Sequence, residues 1–317
     1  MTQKLTHTRP GNSRANLQQP KWHIKLVVLD FDGTLTRVND EAVPYARHYK
    51  ISVARALGMD MTSLSSLWNQ TRRQLMLDPT KGWEENGVVD GNPRKMVVAP
   101  MTADPLVESR AIARHILESR RYVNPEGKNV SDFQDELFKR HYHRCLKLFK
   151  PDAKSFVERL MSLFEHVLIV TNSGTNAVRE KLSMLGLAAL PEGIVRGDAK
   201  KYKPHWQDEL SKLNGNIPPF ISIDGFDREV LLRRGFYGKV LLGLLQEFDI
   251  APENVLVVGD IPELDLCLPA QLGMHTMLVA GKNTQDFERR LVLAQNGEIV
   301  NTLTEGLDLI TKLTGNV

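Results

Sequence analysis

The sequence predicts an α/β fold: a doubly wound parallel sheet accompanied by a second, mostly α-helical domain. Short apolar runs recur at residues 25–32, 166–172, 193–197, 254–260 and 275–280, with a weaker one at 297–301. Helical patterns separate most of them, and strands alternating with helices build a parallel sheet covered on both faces. The interval between the first two runs is long, helical in pattern and without a strong strand, which predicts the second domain.

In chain order, residues 1–22 are polar, lack the apolar stretch of a signal peptide and read as a flexible tail. In "KLVVLDFDGTLT" (25–36) four of the five residues before Asp30 are apolar, as in a strand buried on both faces. Asp30 and Asp32 fall where that strand runs out, and Gly33 and Thr34 open a turn. Residues 38–149 contain the helical stretches "EAVPYARHYKISVARALG", "TSLSSLWNQTRRQLML", "VESRAIARHILESRR" and "VSDFQDELFKRHYHRCLKLF", with "KMVVAP" as a possible strand. Inserted directly after the aspartates, this domain is expected to sit over the strand ends. "KPDAKSFVERLMSLFE" (150–165) reads as the helix returning to the sheet, with Pro151 in its first turn. Residues 23–37 and 150–317 then form the core domain.

Bulk properties narrow the function. With 42% hydrophobic and 25% charged residues, the chain has the composition of an ordinary water-soluble globular protein. A net charge of +3, from basic residues scattered along the chain, argues against a nucleic-acid partner. Cys145 and Cys267 offer no disulfide framework, and no apolar run approaches membrane-spanning length. A cytoplasmic location is the expectation.

Ligands of open α/β sheets sit at the carboxyl ends of the strands, so chemistry is sought there. The first strand is followed by Asp30 and Asp32. After the second come Thr171, Asn172, Ser173 and Gly174. The third leads to Lys200, Lys201 and Lys203, and the fourth to Asp260 and Asp265. Two carboxylates on one strand end repel unless a cation or a proton compensates. Converging acids, a hydroxyl and a lysine suit phosphoryl transfer through a covalent aspartyl phosphate, with a hard divalent cation offsetting the negative charge. Elsewhere, "HYHRC" (141–145) puts His141 and Cys145 on one helix face without further ligands, so His141 reads as a helix-surface residue. Trp68 and Trp83 read as helix-packing aromatics.

D-x-D-G-T after a strand, a strand ending in Thr, a Lys, and G-D-x-x-x-x-D together resemble the haloacid dehalogenase-like (HAD) superfamily. The match covers residues 25–36 and about 150–314, with 38–149 in the position of its helical cap. The resemblance implies a Mg²⁺-dependent phosphatase acting on a small phosphorylated metabolite. Asp30 would be the nucleophile and a metal ligand, and Asp32 the general acid and base with its backbone carbonyl facing the metal. Gly33, Thr171 and Asn172 would serve the phosphate. Asp260 would bind Mg²⁺ directly, with Asp265 binding or orienting. Family members that cleave carbon–halogen or carbon–phosphorus bonds usually lack the second acid, so Asp32 points to phosphate esters.

The cation departs from the family pattern. Lys203-Pro204 is the expected dipeptide, but an extra stretch (205–232) follows where a helix and strand normally would. Lys203, Arg234 and Lys201 all remain candidates for the phosphate, since each meets the need for a fixed cation. Two other readings use the same residues: a phosphotransferase or phosphomutase passing the group to a sugar hydroxyl, and a non-catalytic HAD-like binding or regulatory protein.

Overall fold

The computed structural model describes residues 22–78, 80–89, 92–204, 217–223 and 228–315. Of the expected tail, residues 1–21 lie outside the described residues. Trp22 is tied down: its N–H donates to the Leu313 carbonyl at 2.9 Å and its ring stacks on His275 at 4.3 Å.

The first strand, β1 (Leu26–Leu29), is buried along its whole length. Leu26 and Val28 enter one hydrophobic core while Val27 and Leu29 enter another. Side chains alternate across a strand, so a strand covered on both faces needs an unbroken apolar run.

The inserted segment follows as α1 (Val38–Glu41), α2 (Val43–Ala56), α3 (Met61–Leu77), β2 (Gly82–Val89), β3 (Asn92–Pro100), α4 (Pro105–Ser119) and α5 (Val130–His141). Asp60, Asp104 and Asn129 start α3, α4 and α5, each accepting first-turn N–H groups with its side chain. These helices pack around Tyr45, Tyr49, Leu64, Ile112, Ile116 and Leu137, a cluster distinct from the two sheet cores.

Within this mostly helical segment the possible strand "KMVVAP" is part of β3, and the antiparallel β2–β3 hairpin adds a strand, β2, that was not expected. Strand β2 reads GWEENGVV, too polar and glycine-rich to announce a strand. Its stability comes from β3 and from Met96 and Val98 packing on Leu231, far along the chain. Trp83 is therefore a strand residue, whereas Trp68 is buried among the helices. His141 is also corrected. It is buried, and its Nε2 lies 2.8 Å from Ser52 Oγ.

The chain returns through α6 (Ala153–Leu163), with Pro151 just ahead of the helix rather than in its first turn. Then come β4 (His166–Val170), α7 (Thr175–Met184) and β5 (Val195–Arg196). A small antiparallel pair, β6 (Phe220–Ile221) and β7 (Val230–Leu231), belongs to the extra stretch, of which 205–216 and 224–227 lie outside the described residues. The remainder is α8 (Gly235–Phe248), β8 (Val255–Gly259), a π-helical turn (Pro262–Leu266), α9 (Cys267–Gln271), β9 (His275–Val279), α10 (Asp286–Ala294), β10 (Glu298–Val300) and α11 (Leu303–Thr314).

All six predicted runs are strands of one parallel sheet, ordered β10-β9-β8-β1-β4-β5. Helices α8 and α10 cover one face with Tyr237, Leu241 and Leu291, and α6, α7 and α11 cover the other with Phe156, Leu182 and Ile310. The chain moves outward from β1 to β5, then restarts on the other side of β1 at β8. That reversal opens a crevice at the carboxyl ends of β1 and β8. Among the described residues no helix is long and apolar enough to cross a membrane.

Candidate active site

Asp30 stands one residue past β1, and its N–H donates to the Val258 carbonyl at 2.8 Å, so it stays in register with β8. The turn after it needs Gly33, whose φ is +90° and where an added Cβ would stand 2.1 Å from Asp260 Oδ2. Gly33→Ala is expected to lower unfolding stability by about 2 kcal/mol. A urea-unfolding midpoint equal to that of the parent would show that the turn tolerates a side chain. The turn is closed by Thr36 Oγ1, which accepts the Gly33 N–H at 3.1 Å.

Lys201 is the cation beside Asp30. Its Nζ donates to Asp30 Oδ1 and to Asp265 Oδ1, both at 2.8 Å, and its side chain is only 1% exposed. Burial by itself would pull the ammonium's pKa down, but Asp265 and Asp30 outweigh it and hold the group firmly protonated. Burial raises the Asp30 carboxyl to about 7 against the lowering pull of Lys201. The lysine is aimed by its backbone. Its N–H donates to Asn172 Oδ1 at 2.7 Å, and its carbonyl accepts from the Arg234 guanidinium at 3.0 Å.

The other two candidate cations stand elsewhere. Arg234 is fully buried and bonds backbone carbonyls, Lys201 on one side and Val98 of β3 at 2.5 Å on the other. Lys203 turns away to pair with Glu85 of β2 at 2.7 Å. Asn172 likewise spends its side-chain oxygen on the Lys201 loop. Thr171, at the end of β4, is buried, and its Oγ1 accepts the Ser173 N–H at 3.1 Å.

Asp260 and Asp265 follow β8. The π-helical turn brings Asp265 back so that its Oδ2 accepts the Ile261 N–H at 3.0 Å. Asp30, Asp260 and Asp265 each bring one carboxylate oxygen within 4.8 Å of the others. Burial, then Asp30 and Asp265, raise the Asp260 carboxyl well above its ordinary value. Thr34 Oγ1 is its hydrogen-bond donor, at a long 3.3 Å. Three carboxylates gather against two ammoniums, Lys201 and, acting on Asp260, Lys150, and an oxygen-only donor set fits a hard divalent cation such as Mg²⁺. Asp30, Asp260 and Asp265 are the carboxylates that could hold the ion, and both Asp30 and Asp265 also accept from Lys201.

Asp32 points into a cleft of about 1160 Å³ between the sheet edge and the inserted segment. Ser173 Oγ donates to its Oδ2 at 2.6 Å and Lys181 Nζ to its Oδ1 at 3.0 Å. Lys181 also reaches Glu41 Oε2, at 3.1 Å. Sequence reasoning missed Lys181 and Glu41. Both lie inside helices, and no spacing links them to Asp32. Trp83 of β2 stacks on Tyr202 at 5.0 Å, and both rings line the cleft, so its place is the cleft wall rather than a helix contact.

The model of the haloacid dehalogenase-like hydrolase family matches residues 24–267, and one described as HAD-hydrolase-like matches 238–306. A search of curated proteins returns no match. Among similar solved structures is a predicted phosphoglycolate phosphatase from Haemophilus somnus 129PT. It is 14% identical, with 90% of this chain and 98% of that chain covered and a TM-score of 0.48. A HAD phosphatase from Thermococcus onnurineus is 14% identical over 90% and 98% of the two chains, at a TM-score of 0.42. A putative β-phosphoglucomutase from Thermotoga maritima is 14% identical over 91% and 99%, at 0.48.

Proposed function

The chain belongs to the haloacid dehalogenase-like hydrolase family, and from that premise we propose that it is a Mg²⁺-dependent phosphatase acting on a small phosphorylated metabolite. The observation that carries the reading is the pair of carboxylates at the end of β1. Asp30 is clamped by Lys201 and Thr34, and Asp32 is held at the cleft wall by Ser173 and Lys181. A carbon–halogen bond needs no proton donor for its leaving group. A phosphate ester does, and Asp32 stands two residues from the nucleophile to supply it.

An Asp30 carboxylate oxygen attacks phosphorus as the ester P–O bond breaks, and the leaving oxygen takes the proton of Asp32. Water then gives a proton back to Asp32 while its oxygen bonds to phosphorus. The P–O bond to Asp30 breaks, restoring the carboxylate and releasing phosphate. Lys201 offsets the charge gathered on the phosphoryl oxygens, and Thr171 with the N–H groups after it would bind them. Mg²⁺, held by the carboxylates of Asp30, Asp260 and Asp265 and the Asp32 carbonyl, would supply further charge neutralisation. The inserted segment closes one side of the cleft, which favours a small molecule over a folded phosphoprotein.

The test is phosphate release from a panel of small phosphomonoesters, with Mg²⁺ and with a chelator. Release that needs Mg²⁺ is the expected result. Release indifferent to the chelator would remove the metal from the reading. Transfer to an added sugar without phosphate release would point to the phosphotransferase alternative. Neither release nor transfer, together with no metal binding, would leave a HAD-like binding protein.

A further inference from the structure

Asp32 is joined to the two places where the chain crosses between the sheet and the inserted segment. Lys181 Nζ divides itself between Asp32 Oδ1 at 3.0 Å and Glu41 Oε2 at 3.1 Å. Glu41 is 4% exposed and ends α1, in the first crossing. Its other oxygen, Oε1, accepts the N–H of Leu148, in the second crossing, at 2.8 Å. The crossings are also laced by backbone: Arg37 N–H to the Leu148 carbonyl and Leu146 N–H to the Glu41 carbonyl, both 2.9 Å. A single ammonium on α7 therefore connects the carboxylate in the cleft with the strap that holds the inserted segment on.

A lysine serving only to neutralise buried Glu41 would have no need to reach Asp32. Here the shared lysine gives Asp32 a partner whose position depends on Glu41, and Glu41 depends on Leu148. Burial lowers the Lys181 pKa, but Asp32 and Glu41 more than reverse this, so the ammonium is charged in this arrangement.

We propose that Lys181 is a positioning residue that, through Glu41, sets the orientation of Asp32 according to the state of the two crossings. The seating of the inserted segment is thereby passed to the group that handles the proton. The proposal rests on the role given to Asp32 above, and it gives Lys181 no contact with substrate.

Two esters separate positioning from general damage. An alkyl phosphate needs its leaving oxygen protonated, whereas p-nitrophenolate leaves without a proton. Lys181→Met is expected to lower kcat/KM for an alkyl phosphate by about 10- to 100-fold and for p-nitrophenyl phosphate by less than about 3-fold. Lys181→Arg, which keeps the charge and the donors, restores most of the loss. Equal losses on both esters, or none, overturn the proposal.

A second readout needs no turnover. Asp32→Ala is expected to change hydrogen exchange at the Leu148 amide in the otherwise unaltered protein and to leave it unchanged in the Lys181→Met background. If Asp32→Ala has no effect at Leu148 in either background, the link is absent and the proposal falls. Coupled exchange in a protein that cleaves neither ester would leave the link standing and sink the phosphatase reading instead.

Discussion

On the proposed phosphatase reading, Asp30→Asn is expected to lower phosphate release by at least about 10⁴-fold, because an amide oxygen is no nucleophile. The fold survives the change. Asp30 shares a buried space with Asp260 and Asp265, so removing one of three negative charges relieves repulsion, while Lys201 keeps Asp265 as a partner. The amide oxygen can still accept from Thr34, which now donates to Asp30 Oδ2 at 3.0 Å. Unfolding stability is expected to change by less than about 1 kcal/mol or to rise, since the lost hydrogen bond and the relieved repulsion oppose each other. Phosphate release and urea unfolding on the same preparation check both halves. Release that persists means another nucleophile.

The second large effect distinguishes two lysines that lie two residues apart. Lys201→Met leaves Asp30 and Asp265 facing each other in a buried site without their common cation, and breaking such a pair costs about 3–5 kcal/mol. Activity is expected to fall with it, because under the proposed function the phosphoryl charge would lose its partner. Lys203→Met removes a pair in which the lysine side chain is 39% exposed and Glu85 19% exposed. An ion pair that open to water contributes less than about 1 kcal/mol. Urea unfolding and phosphate release of the two variants should therefore separate widely. Equal losses would place the working cation at Lys203 and contradict the geometry around Asp30.

This pair of lysines also marks where the sequence stops being readable. The loop carries lysines at 200, 201 and 203, and only one can face the sheet. Asp198 and Lys200 adopt left-handed backbone, at φ 55° and 48°, which turns the chain so that Lys201 points inward. Lys200 goes outward over the Phe236 ring at 5.2 Å. Neither residue is a glycine, so nothing in the local sequence announces the turn. Arg234 shows the same limit. A cation at the start of a helix could serve a phosphate, yet here it is sealed in and bonds the carbonyls of Lys201 and Val98. Of the β2–β3 hairpin only "KMVVAP" in β3 could be read as a possible strand; β2 and the pairing could not, because the stabilising contacts lie on Leu231, far along the chain.

What could be read beforehand has a common origin. Short apolar runs bounded by turn residues and alternating with helical patterns read as strands buried on both faces, and residues just past such runs gather at one edge when the strands are parallel. That logic places Asp30, Asp32, Thr171, Asp260 and Asp265 at the carboxyl edge of the sheet. It depends on local pattern alone. Which cation meets Asp30, which residues hold Asp32, and where the inserted segment is strapped depend on contacts such as Lys201 to Asp30, 171 residues apart. Loop conformation and long-range packing decide such meetings, and a one-dimensional pattern carries no record of either.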